Sequence, residues 1–108
     1  MLITKEQELQ RFYAKNRIWQ GISSIEVTPK GRIFVTFYSG GTKEEFGNFT
    51  MIIKSDDGVN YSEPIAVTYK EGYRCFDPCL WIDPLGRLWY TWGIAPEDAV
   101  LMCTATPA

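Results

Sequence analysis

Apolar and polar positions change rhythm once along this chain. From Lys5 to Asn16 (KEQELQRFYAKN) the apolar residues Leu9, Phe12 and Tyr13 fall at i, i+3 and i+4, one helical face among good helix formers. Thr4 stands where an N-cap would, and Glu6 and Glu8 lie at the end of the dipole that favours negative charge. The pattern predicts a short amphipathic helix whose stripe covers an edge of the sheet that follows.

From Ile22 onward the signals are those of strands and turns. Ile22 to Val27 and Arg32 to Tyr38 flank Thr28-Pro29-Lys30-Gly31, with proline at the second turn position and glycine at its exit, which reads as a hairpin. Phe49 to Lys54 (FTMIIK) reads as a third strand and Ser55-Asp56-Asp57-Gly58 as a turn. Pro64 to Tyr69 reads as a weaker fourth strand with its proline at the edge. Four strands in meander order make one antiparallel sheet.

Part of this pattern occurs twice. Ile25 to Phe37 (IEVTPKGRIFVTF) aligns with Leu80 to Trp92 (LWIDPLGRLWYTW), matching Pro29 to Pro84, Gly31 to Gly86, Arg32 to Arg87 and Thr36 to Thr91, each pair 55 positions apart. Four-stranded propeller blades repeat every ~40–50 residues, so the spacing suggests blades. The expected fold is all-β, an incomplete β-propeller of four-stranded antiparallel blades with a short N-terminal helix. Residues 1–20 would be the helix and lead-in, 21–72 one blade, and 73–108 a partial second blade with strands at Leu80 to Ile82, Arg87 to Trp92 and Ala99 to Thr104. Propellers close with about 4–8 blades. The chain is therefore expected to be a fragment of a longer protein, or a unit whose copies assemble into a ring.

Composition narrows the chemistry. The 108 residues suffice for one small core and contain no histidine, which excludes Ser-His-Asp and Cys-His catalysis and the commonest metal ligand. A formal net charge of -2 leaves no basic stripe for nucleic acid. Cys75, Cys79 and Cys103 are odd in number and form no Cys-x-x-Cys pair, so reduced thiols are expected, with no metal and no cofactor. No apolar stretch reaches the ~20 residues of a membrane span, and no secretory signal follows Met1, so no membrane partner and a cytoplasmic location by default are expected.

Ser55-Asp56-Asp57-Gly58-Val59-Asn60-Tyr61 resembles the Asp-box of sialidase-type propellers, a hairpin between the third and fourth strands of a blade. In it Ser55 and Asp57 bond back to turn amides, Gly58 takes positive φ, and Tyr61, standing where tryptophan is usual, packs under the blade. From about Arg17 to Trp92 the chain is similar to the sialidase or neuraminidase superfamily with its BNR (Asp-box) repeats. The resemblance implies a glycoside hydrolase acting on a terminal, acidic sugar. The alternative is a non-catalytic carbohydrate-binding propeller, since one fold hosts several functions.

In that family the box faces away from the substrate. With residues 28–31 and 55–61 at the lower end, the upper end gathers Arg17, Gln20, Glu44, Glu45, Arg74, Asp77, Glu97 and Asp98, with Trp19 and Tyr38 as platforms. The resemblance implies catalytic roles for Glu44, Glu45 and Asp77, and substrate binding by Arg17, Trp19, Gln20, Tyr38 and Arg74. Sialidases clamp the substrate carboxylate with arginines and use a carboxylic proton donor and a Tyr-Glu nucleophile. Their first arginine stands in Arg-Ile-Pro; here Gly21-Ile22-Ser23 occupies that place, and Arg17-Ile18-Trp19 lies four residues earlier. Arg32 and Arg87 recur in the repeated turn and are expected to be structural.

Overall fold

The computed structural model describes residues 1–41, 45–96 and, for the backbone alone, 102–107; in it the chain builds two antiparallel sheets that pack on one another without closing into a barrel. The first contains β1 (Leu2–Ile3), β2 (Trp19–Val27), β3 (Ile33–Gly40), β4 (Phe49–Ser55) and β5 (Ala66–Thr68), in the spatial order β1-β5-β4-β3-β2. The second contains β6 (Tyr73–Ile82), β7 (Leu88–Pro96) and β8 (Met102–Pro107), in chain order. One α-helix, α1 (Glu6–Leu9), precedes β2.

The repeat in sequence is also a repeat in register. Ile25 pairs with Val35 as Leu80 pairs with Tyr90, Val27 with Ile33 as Ile82 with Leu88, and Gln20 with Ser39 as Cys75 with Ile94. The turns agree as well: the Gly31 amide donates to the Thr28 carbonyl and the Gly86 amide to the Asp83 carbonyl, each at 2.9 Å. Both glycines have positive φ, 91° and 80°, a region that residues with a Cβ rarely adopt. Each first strand carries a bulge, between Gln20 and Ser23 in β2 and between Phe76 and Cys79 in β6. The second bulge absorbs Asp77-Pro78. For that reason β6 starts at Tyr73 and not at Leu80: a bulged position needs no ladder N–H, and proline has none to give. The expected start of the last strand, Ala99, lies outside the described residues; β8 extends to Pro107, beyond the expected end at Thr104.

Alternation within the strands gives the first sheet two apolar faces. Phe37, Phe49, Met51 and Val67 point to one side, where Leu9 and Phe12 cover them. Phe34, Ile52 and Ala66 point to the other side and meet Leu80, Tyr90 and Trp92 of the second sheet. A sheet buried on both faces needs near-continuous apolar strands, and β4 is one. Hydroxyls are paired within the contact between the sheets: Thr50 Oγ1 lies 2.6 Å from Thr68 Oγ1 and also bonds the Tyr90 hydroxyl. Burial pushes the Tyr90 phenol up to about 12, against the opposite pull of its threonine partners. The edge strand β6 has two of its amides satisfied from the first sheet, Leu80 N by Ser24 Oγ at 3.3 Å and Ile82 N by Glu26 Oε1 at 2.9 Å. Side chains thereby occupy an edge that would otherwise template another strand.

The N-terminal segment differs from its expectation. The single turn α1 gives way to short 3-10 turns at Gln10–Phe12 and Ala14–Asn16, interrupted where Tyr13 is extended with ψ 157°. So short a helix is not stable on propensity alone, and the seats for Leu9 and Phe12 on the sheet decide its path. Thr4 does not cap it; Lys5 holds the N-cap position without a side-chain bond. Nor does the stripe cover a sheet edge, because it lies on the face of the sheet while β1 takes the edge, pairing Leu2 with Thr68 and Ile3 with Val67.

Candidate functional site

At the upper end of the sheets, away from the repeated turns, Trp19 begins β2 and Tyr38 lies near the end of β3. Their rings meet edge to face, 5.3 Å apart, and Phe76 and Ala95 of the second sheet complete the cluster. Arg74, two residues before Phe76 on β6, lays its guanidinium 4.4 Å from the Phe76 ring centre, a cation–π contact. Trp19, Tyr38 and Arg74 are thus gathered along one upper seam. Tyr38 is buried and Trp19 half-buried, so only Trp19 offers a face to a ligand.

Gly21 is required by this packing. A Cβ at Gly21 would stand 2.4 Å from the Tyr38 ring, closer than real contacts allow. The ring packs with Trp19 and Phe76, contacts that oppose its moving aside. Gly21→Ala is expected to cost about 1–3 kcal/mol of stability, the usual range for overpacking, read as a lower urea midpoint at unchanged slope. The position at which the family resemblance would want an arginine is therefore filled by the only residue the ring tolerates.

The other expected site residues are not members of this aromatic cluster. Asp77 is exposed in the β6 bulge with φ 45°, a left-handed conformation uncommon outside glycine and concentrated at functional sites. Gln20 is exposed on β2 opposite Ser39. Glu45 is half-buried where its loop returns to β4, and its amide donates to Asn48 Oδ1 at 2.7 Å. That loop is pinned to the second sheet, Gly47 N to the Tyr73 carbonyl and Cys75 N to the Asn48 carbonyl, both at 2.9 Å. Glu44, Glu97 and Asp98 lie outside the described residues.

Arg17 does not join the upper seam. Its side chain is only 9% exposed; one terminal nitrogen donates to the Phe12 carbonyl at 2.7 Å, and the guanidinium lies 5.4 Å from the Phe37 ring centre. Burial makes its proton easier to lose, and Glu63, 4.0 Å away, offsets part of that effect. Nε has no partner. The residue closes the last 3-10 turn against the helix-side face instead of reaching a ligand, an outcome decided by side-chain direction.

At the lower end the hairpin Ser55 to Asn60 is held by its own side chains. Ser55 Oγ accepts from the Gly58 amide at 2.9 Å, while Asp57 Oδ1 accepts from the Val59 and Asn60 amides at 2.8 Å each. Gly58 has φ 78°. The Asn60 and Val59 amides, followed by the Asn60 side chain, hold the Asp57 carboxyl well below the usual carboxylate range. Tyr61 does not pack under the sheet. It is 43% exposed, because the returning chain is held one residue later by Ser62, which bonds the Lys54 carbonyl at 2.9 Å and the Lys54 amide at 3.0 Å. Arg32 and Arg87 act locally, on Asp56 at 2.8 Å and Asp83 at 2.6 Å.

A cleft of about 770 Å³ opens between the sheets at this lower end, with walls from Phe34, Ile52, Ile65, Leu88 and Tyr90 and with Arg87 among its polar residues. It is the kind of concavity that holds small ligands, on the end opposite the expected one. Nothing in the sequence marks it, since its walls read as core. Among the described residues no group of three or more Cys, Asp or Glu side chains could hold a metal ion. Set against models of protein families, curated proteins and solved structures, the chain matches none.

Proposed function

We propose that the two sheets are blades of a sialidase-like β-propeller and that the protein acts on carbohydrate as a glycoside hydrolase of a terminal sugar. The observation that carries this reading is the bonded hairpin Ser55 to Asn60 at the lower end of a sheet whose first hairpin recurs in register 55 positions on. The upper seam would meet the sugar: Trp19 as a stacking face, Arg74 as donor to a sugar carboxylate, and Glu45 and Asp77 as carboxyls for acid–base work. Two sheets do not enclose a central site, so further sheets, from the same protein or from other copies, would complete it.

One observation favours binding without hydrolysis. Arg17 and Tyr38, both expected to bind substrate, are committed to packing. A release assay on sialosides, uronides and neutral glycosides, with glycan-array binding alongside, separates the two readings. Hydrolysis that falls by about 10²–10⁴-fold in Glu45→Gln or Asp77→Asn supports the hydrolase. Binding without release selects the second reading. Neither release nor binding from the fully assembled protein overturns both.

A further inference from the structure

The 55-position repeat assigns each sheet a leading and a trailing face. On the first sheet, Phe34 packs against the second sheet and Glu26 bonds its Ile82 amide. The residues at the equivalent places on the second sheet are Trp81 and Trp89, which pair directly across β6 and β7. Nothing described covers Trp81, which is 56% exposed. Conversely, Leu80 and Ile82, which the second sheet turns toward the first, correspond to Ile25 and Val27 of β2, and these are 59% and 50% exposed. The helix seats itself over Phe37, Phe49 and Val67 and leaves these β2 positions open.

The chain therefore displays both halves of a contact it already makes internally. The Trp81 face repeats the surface that receives a sheet, and the Ile25 and Val27 face repeats the surface that is received. We propose that a second copy of this chain docks its Ile25/Val27 face on the Trp81/Trp89 face, head to tail, in the arrangement by which the second sheet sits on the first. The occupant is a copy because the complementary surface is present on the same molecule. Such a contact is heterologous, so it propagates into a ring or a filament and does not stop at a symmetric dimer. Glu26, which caps an amide in the internal contact, is replaced by tryptophan in the external one, and Arg87 lies 5.5 Å from the centre of the neighbouring Trp89 ring. The docking rests on the repeated register and on the exposure of these faces, and is independent of any sugar chemistry.

Analytical ultracentrifugation of the whole chain tests this. Wild type should associate with rising concentration, and Trp81→Glu and Ile25→Glu, both at positions more than half exposed, should each weaken association by roughly tenfold or more. Mixing the two variants is the decisive arm. Each retains the face the other has lost, so together they should form a 1:1 complex that grows no further. A wild type that stays monomeric up to about 100 μM, association insensitive to both substitutions, or a mixture that forms no 1:1 complex would each overturn the proposal.

Discussion

Phe12→Ala is expected to remove about 3–5 kcal/mol of stability, the range for emptying a buried phenylalanine site. Phe12 is 2% exposed and meets the Phe49 ring edge-on at 4.6 Å and the Tyr69 ring at 5.7 Å. Its backbone carbonyl also receives the Arg17 guanidinium, so the residue joins the N-terminal segment to the sheet through ring and backbone together. Since a domain of this size is stable by only about 5–15 kcal/mol, the substitution should consume much of the reserve. A urea titration should show a markedly lower midpoint, while Phe12→Leu, which keeps most of the volume, should cost less than about 1.5 kcal/mol. If the two variants behaved alike, the segment would be held by its backbone contacts and not by the ring.

Asp83→Ala should lower the melting temperature by several degrees at pH 7 and flatten its dependence on acid. Oδ1 accepts from the Leu85 and Arg87 amides at 2.9 Å each, and Oδ2 accepts from Arg87 Nε at 2.6 Å and Trp89 Nε1 at 2.8 Å. Burial pushes the carboxyl up, but the bonds from Trp89 and Arg87 outweigh it, and the group sits well below the usual carboxylate range. A carboxyl whose folded pKa is depressed binds protons more readily when unfolded. Its stabilisation is therefore complete above the unfolded value of about 3.9 and disappears as pH falls from there through the folded value. Melting temperatures from pH 6 downward should drop below about pH 4 in wild type and drop less steeply in Asp83→Ala. Asp57, depressed by its own turn amides, leaves a residual slope in the variant. Equal slopes in both proteins would mean that Asp83 does not keep its charge in the fold.

Local chemistry was the readable part. The turns at Thr28 to Gly31 and Asp83 to Gly86 follow from proline and glycine at fixed offsets, and the β2–β3 and β6–β7 registers follow from the turns. What escaped depended on partners distant in sequence. Asp77-Pro78 looks like the end of a loop, yet a bulge lets β6 run through it. Lys5 to Asn16 has the composition of a three-turn helix, yet two apolar anchors on a sheet need only one turn and a bend. Among the expected site residues, Trp19, Tyr38 and Arg74 converge because strand order alone puts them at the same end. Arg17 is lost to the site because its side chain turns toward Phe12 and Phe37, which no spacing rule records.

The pairing of β1 with β5 bears on how the chain is made. Met1 O accepts from Tyr69 N at 3.0 Å, and β1, the outermost strand of the first sheet, is the first strand of that sheet to be synthesised while its neighbour β5 is the last. At ribosomal speeds of about 5–20 residues per second, the leading strand must wait on the order of several seconds for its mate to emerge. Throughout that interval residues 2–3 lack the strand they pair with in the finished sheet.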